Sequence, residues 1–203
     1  MKIICLEKNY PNPVDDVEET LSSEPYFFFK PDSALSIKNR PFFLPDFSSE
    51  IHCEIELIVR ICKLGKHIEK KFAHTYYDAI GLGVDISAKD ILKQCQIKGL
   101  PWEMATGFDG TAVVSDFIEK ENFKKLHSLN FSLSINGETI QRGDSKQMIL
   151  GIEDIIVYIS QYITLKIGDI IFTGTPVKSK KVAINDHLEG FLENEKIVDF
   201  NIK

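Results

Sequence analysis

Apolar and polar residues alternate along much of this chain with a period of two. The longest such run is residues 51–61, IHCEIELIVRI, rich in β-branched side chains. That period predicts a β-strand. It also sets Glu54 and Glu56 on one face and turns Cys53 to the other. Shorter runs predict strands at 2–6, 112–114, 169–173, 188–191 and 197–202, and a buried aromatic strand within 24–34 (EPYFFFKPDSA) ending at Lys30-Pro31. Asn136-Gly137, between the alternating runs 131–135 and 138–141, predicts a tight hairpin. Helical spacing is scarcer. Ile152, Ile155, Ile156 and Ile159 mark an amphipathic helix within 149–165. Residues 90–98 read as a helix stopped by Gly99-Leu100-Pro101, and a short one falls within 63–74. Pro11-Asn12-Pro13 interrupts regular structure, and the acidic stretch 14–23 reads as a short helix or a solvated loop. With no repeat, low-complexity tract or long linker, the chain reads as one domain over 1–203, with 1–50 as an N-terminal subregion.

The 203 residues are 43% hydrophobic and 27% charged, with a formal net charge of −6 and both signs interspersed. This is the composition of a soluble domain long enough to bury a core. It lacks the basic footprint of a nucleic-acid binder. No apolar run approaches the roughly 20 residues of a bilayer-spanning helix, and MKIICLEKNY reads as a first strand rather than a signal peptide. Cys5, Cys53, Cys62 and Cys95 show no CxxC spacing, so they read as reduced thiols rather than a disulfide framework or zinc site. The expectation is a cytoplasmic protein with neither nucleic-acid nor membrane partners. A mildly acidic protein that binds an anionic acid must focus positive charge locally, through a metal or a few lysines.

Candidate chemistry begins with Glu54 and Glu56. Two carboxylates projecting together repel, and burying them is costly unless one protonates or a cation intervenes. Mg²⁺ and Mn²⁺ favour such hard oxygen ligands. The alternative is a pair of solvated carboxylates on an edge strand. In residues 80–90, IGLGVDISAKD, Gly81 and Gly83 point to a turn or close backbone approach. Asp85 then stands where the strand stops, either as a third ligand or as the N-cap of the next helix, a role Ser87 can also fill. Lys30, directly after three phenylalanines, either reaches water or places a cation in a cleft. Gly174-Thr175-Pro176 follow a strand, where amides and a hydroxyl can hold an oxyanion or simply make a turn. His67 and His74 lack paired metal-ligand spacing and read as surface groups.

Taken together and in order, EPYFFFKPDSA, the H-x-E-x-E of residues 52–56, GVDISAKD, KGLPWE, INGE, GDIIFTGTP and the closing strands resemble the fumarylacetoacetate hydrolase family. The likeness is to its small acylpyruvate hydrolases and oxaloacetate decarboxylases in particular. It implies an α+β fold, a mixed β-roll with short flanking helices, usually a homodimer. It implies Mg²⁺ or Mn²⁺ held by Glu54, Glu56 and Asp85. The metal would chelate the 2-oxo-acid end of a small substrate and, as a Lewis acid, stabilise the enolate formed when a C–C bond breaks or carbon dioxide leaves. It also implies that Lys30, Gly174, Thr175 and Pro176 line the substrate. Residues 1–50 would carry a lid on which hydrolytic members hold a water-activating His–Glu dyad.

The departures from the family fall on the chemistry. Glu7-Lys8-Asn9-Tyr10 replaces the family's G-R-N-Y. Pro13 stands at the lid histidine, Asp16 at its glutamate, Leu92 at a glutamine and Thr106 at an active-site lysine. VKSKK at 177–181 replaces a glycine-rich continuation. Asp16 and Lys89 are the remaining candidates for proton handling, and Lys8, Lys30 and Lys89 are the cations left to replace lost charge. A general base contributes a factor of about 10²–10⁴, so hydrolysis is expected to be weak, whereas metal-assisted decarboxylation needs no base. The expectation is a divalent-metal-dependent hydrolase- or decarboxylase-type enzyme that cleaves a C–C bond of small 2-oxo acids such as acylpyruvates and oxaloacetate, with hydrolysis weakened and decarboxylation or tautomerisation the main residual chemistry. The alternatives are a degenerate paralogue that binds metal and acid without efficient turnover, and a structural domain whose carboxylates are solvated.

Overall fold

The computed structural model describes residues 1–11, 24–37, 39–176 and 178–203. The strands are β1 Ile3–Glu7, β2 Tyr26–Lys30, β3 Leu35–Ile37, β4 Ile51–Ile61, β5 Tyr77–Ala88, β6 Ala112–Val114, β7 Ile118–Glu119, β8 Asn130–Ile135, β9 Glu138–Asp144, β10 Ile170–Phe172, β11 Lys180–Lys181, β12 His187–Leu192 and β13 Glu195–Asn201. The helices are α1 Lys70–Ala73, α2 Lys89–Lys98, α3 Glu103–Thr106 and α4 Ile152–Tyr162. Among the described residues a mixed nine-stranded sheet follows the order β2-β1-β10-β4-β5-β6-β3, with β11 added to β4 and β7 to β5. A second, four-stranded sheet runs β13-β12-β8-β9. The larger sheet curls into a half-barrel: Lys30 at the end of β2, on one edge of that order, reaches Asp85 on β5 and the carbonyl of Thr111 beside β6. The chain is α+β, as the resemblance implied.

Alternation along β4 holds in its first half and fails in its second, and the failure shows what lies on each side. His52 and Glu54 are half-buried between buried Ile51, Cys53 and Ile55, but Leu57, Ile58 and Val59 are all buried. Odd-numbered residues face the main core, shared with Leu133, Leu188, Val198 and Phe200 of the second sheet and Ile155, Ile156 and Ile159 of α4. Even-numbered residues face the inside of the curl, where Ile58 packs with Ile3, Cys5, Ala112, Val114 and Phe172 in a smaller apolar cluster. A strand covered on both faces loses its polar positions. Above that apolar floor the inner face turns polar at Glu56, Glu54 and His52.

Several sequence expectations need correction. The aromatic strand β2 is an edge strand, and Phe29 is 40% exposed. Phe27 packs edge-on against Tyr158 and Tyr162 of α4 instead of lying in the core. β5 continues to Ala88, so Asp85 lies inside a strand and Ala88, not Asp85 or Ser87, precedes the helix. The 149–165 helix is confined to Ile152–Tyr162, because Leu165 pairs with Gly65 in an isolated bridge. The hairpin stands as expected, with positive φ at Asn136 (53°) and Gly137 (83°). No helix among the described residues is long and apolar enough to cross a membrane.

Candidate active site

Strand register delivers three carboxylates to the mouth of the curl. β4 and β5 run antiparallel with Glu54 opposite Asp85 and Glu56 opposite Gly83, and directly opposed residues have Cβ atoms about 5 Å apart. Glu56 and Asp85 are 4% and 6% exposed, and Glu54 is half-buried. The solvated-edge reading of this pair is therefore wrong. Gly83 makes the arrangement possible, since a Cβ there would stand 2.7 Å from Ile58 Cγ2 and from Phe172 Cζ.

Each carboxylate has its own donor. Lys30 Nζ donates to Asp85 Oδ1 at 2.6 Å, to Ile86 O at 3.0 Å and to Thr111 O at 3.2 Å, which engages all three ammonium protons. The water-reaching reading of Lys30 fails, and its charge serves Asp85. The Gly174 amide donates to Glu56 Oε2 at 2.6 Å. Gly174 has φ +93°, and a Cβ there would crowd Asn9 Cβ at 3.2 Å and Leu6 O at 3.3 Å, so only glycine aims this amide without strain. Asn9 pins the same turn through Nδ2 to Thr173 O and Leu150 O, with Oδ1 accepting from the Leu150 amide. Lys89 Nζ lies 3.4 Å from Glu54 Oε2.

The electrostatics show how crowded this negative charge is. Burial first, then the Asp85 charge, pushes Glu56 well above the usual carboxylate range against the pull of the Gly174 amide. Burial likewise raises Glu54, with Lys89 opposing and Asp85 adding. Burial draws Lys89 down, but the carboxylates, Glu54 foremost, outweigh it and leave the ammonium more basic than usual. A divalent cation relieves such a conflict, and three carboxylates are a donor set suited to Mg²⁺ or Mn²⁺. The trio fits on chemistry but is not closed. Among the described residues the set of metal-ligating groups whose atoms all lie within 4.8 Å of one another is His187, Glu189 and Asp199. Sharing one cation therefore requires the ligand oxygens of Glu54, Glu56 and Asp85 to draw closer than they stand here. The His187 set lies beyond the main core, on the outward face of β12 and β13. There Lys196 Nζ already bridges Glu189 at 2.9 Å and Asp199 at 2.7 Å. With an ammonium between its acids, that surface set has less need of a metal than the buried trio.

The remaining predicted residues divide. Thr175 Oγ1 is buried with no hydrogen-bond partner among the described residues, and so is Ser87 Oγ; Pro176 is half-buried beside Thr175. Thr106 is buried and its hydroxyl donates to Trp102 O within its own turn, so no side chain replaces the family lysine at that position. Leu92 is half-buried on α2. Pro13, Asp16 and Val177 lie outside the described residues. His52 enters the sequence reading only as part of the H-x-E-x-E motif, with no role of its own; in the structure its Nδ1 is 3.1 Å from Ser179 Oγ and its Nε2 is 3.3 Å from Glu50 Oε2. The signal was present: His52 precedes Glu54 by two and so shares its face.

A family profile described as Fumarylacetoacetate (FAA) hydrolase C-terminal matches residues 2–202. The mitochondrial oxaloacetate tautomerase FAHD1 of Mus musculus is 36% identical over 201 residues, 99% of this chain and 91% of that protein. A mitochondrial oxaloacetate decarboxylase of Dictyostelium discoideum is 36% identical over 176 residues, 86% of this chain and 81% of the relative. Among solved structures, fumarylpyruvate hydrolase from Pseudomonas aeruginosa in complex with Mn²⁺ and pyruvate superposes with a TM-score of 0.91 at 25% identity, covering 100% of this chain and 89% of that one.

Proposed function

The chain belongs to the fumarylacetoacetate hydrolase family, and we propose that it is a divalent-metal-dependent enzyme acting on small 2-oxo acids, by decarboxylation or keto–enol tautomerisation rather than hydrolysis. The observation that carries this reading is the trio Glu54, Glu56 and Asp85, drawn together by strand register on an inner face where Glu56 and Asp85 are almost wholly buried. Relatives named for oxaloacetate tautomerisation and decarboxylation, and a structural neighbour holding Mn²⁺ and pyruvate, support it.

Bound there, Mg²⁺ or Mn²⁺ supplies Lewis-acid polarisation of a 2-oxo carbonyl. The chain supplies the rest. Glu54, Glu56 and Asp85 would hold the ion, and Lys30, with its three donors engaged, fixes Asp85. The buried Thr175 hydroxyl, unpartnered among the described residues, is available to donate to a substrate oxygen. In the metal-free site the carboxylates, Glu54 foremost, hold Lys89 as an ammonium, which donates hydrogen bonds rather than taking a proton from water. Hydrolysis needs such an acceptor, and proline cannot be one. We also propose a homodimer, tested by light scattering in solution. The four free cysteines fit a reducing compartment, whether the cytoplasm or, as for the named relatives, mitochondria.

A second reading, a protein that binds metal and organic acid without efficient turnover, is favoured by Thr106, whose hydroxyl is spent inside its own helix. Assays of oxaloacetate and acylpyruvate turnover with Mn²⁺ separate the two. Under the first reading wild type turns over within about 1–10³ s⁻¹, and Glu54→Ala or chelation abolishes it. Activity that survives both refutes the metal mechanism, and none in wild type with Mn²⁺ bound leaves the binding protein.

A further inference from the structure

Two buried hydroxyls without a hydrogen-bond partner among the described residues belong to the segments that carry the trio, Thr175 Oγ1 and Ser87 Oγ. Thr175 follows the Gly174 amide that holds Glu56. Ser87 lies two residues beyond Asp85 on β5, so the two side chains project from one face. Strand register sets Ser87 opposite His52, one rung outward from the Glu54–Asp85 pair, or about 7 Å along the strands. Ser87 is 4% exposed. A buried hydroxyl with no partner costs stability, so its presence calls for a reason other than packing.

Lys89 explains why that rung is dry. Its backbone amide donates to Glu50 O at 2.8 Å, one rung outward of Ser87 and His52. Its Nζ lies 3.4 Å from Glu54 Oε2, one rung inward of them. The side chain therefore crosses the Ser87 rung, and its hold there is the Glu54 carboxylate. A cation on Glu54 competes for that carboxylate and repels the ammonium, which frees Lys89 and uncovers Ser87. Exposure of the neighbouring side chains rises in the same direction, from 8% at Asp85 to 19% at Glu54, 21% at His52 and 31% at Lys89. An acid chelated at the inner rung thus points its tail outward, past Ser87.

We propose that Ser87 is a specificity-determining residue of this site: its hydroxyl donates to an oxygen carried on C4 of the bound 2-oxo acid, so the site favours acids with a carbonyl or carboxylate at C4 over plain 2-oxo acids. This rests on the metal reading of the trio and narrows its substrate class. It agrees with the chemistry proposed there. A 2-oxo acid that loses carbon dioxide to leave an enolate carries the departing carboxylate as C4, and a C4 carbonyl or carboxylate acidifies the C3 protons that tautomerisation moves.

Calorimetric titration of wild type and Ser87→Ala tests it, first with Mn²⁺, then with 2,4-dioxopentanoate and 2-oxopentanoate on the Mn²⁺-loaded proteins. The two acids share their chelating end and chain length and differ by the oxygen on C4. Wild type is expected to bind the dioxo acid about tenfold more tightly, the scale of one hydrogen bond. Ser87→Ala should cut that ratio about tenfold by weakening the dioxo acid alone, with Mn²⁺ affinity unchanged. Without metal the variant should melt no lower than wild type and up to about 2–4 °C higher, because the lost hydroxyl bonds nothing in the fold. Equal affinities in wild type, a ratio that survives Ser87→Ala, or a variant that melts lower and weakens both acids, as from a merely structural residue, each overturn the proposal and leave the metal reading standing. If wild type binds Mn²⁺ but neither acid, the 2-oxo-acid reading fails with it. If wild type binds no Mn²⁺, the metal reading fails as well.

Discussion

Lys30 is the side chain whose chemistry depends most on its surroundings. Residue type alone lets a lysine after three phenylalanines reach for water. Here its ammonium is buried, and Asp85 with two backbone carbonyls takes all its protons. Removing one partner of a buried pair leaves an uncompensated charge, a loss of about 3–5 kcal/mol. Lys30→Met should lose about that much in metal-free urea unfolding, and saturating Mn²⁺ should restore part of it by supplying another positive charge beside Asp85. Equal stability of variant and wild type without metal would show that the pair contributes nothing.

The hairpin of β12 and β13 shows strand alternation fixing chemistry on the other side of the core. Leu188, Val198 and Phe200 point inward, while His187, Glu189 and Asp199 point out around Lys196. Hydrogen bonds from Lys196, then from His187, hold Asp199 below the usual aspartate range. An acid whose folded pKa is lowered adds stability that is present above its unfolded pKa and lost as pH falls through the folded value. Asp199→Asn should therefore lower stability at neutral pH by less than about 1 kcal/mol, since the group is well exposed. The difference should vanish as the pH is taken down below the ordinary aspartate range. Thermal melts of both proteins across that window give the answer, and a gap that persists at low pH would assign the effect to packing instead.

For the whole molecule, the half-barrel has an apolar floor and a polar rim, and folding forces the carboxylates of that rim together. An ion that binds only the folded state stabilises it by about 2.7 kcal/mol at a hundred times its Kd. Mn²⁺ should raise the melting temperature of wild type accordingly, and a chelator should reverse the shift. The Glu54→Ala protein should show little of it. A shift of equal size in that variant, but lost in Asp199→Asn, would move the cation to the His187 set.

Much of this was legible in the chain. Period-two alternation gave β4, the shared face of Glu54 and Glu56 and the opposite face of Cys53, because strand geometry is local and leaves no other arrangement. Motif order gave the family, and positive φ at Asn136 and Gly137 bore out the hairpin. Alternation could not say how far β5 runs, so Asp85 was set at a strand end when pairing with β4 carries it inside. Nor could it show that β2 lies on an edge, or that Lys30 and Asp85 meet on one rim. Those facts depend on which strands are neighbours and how the sheet curls, and only long-range pairing and two-sided burial decide that.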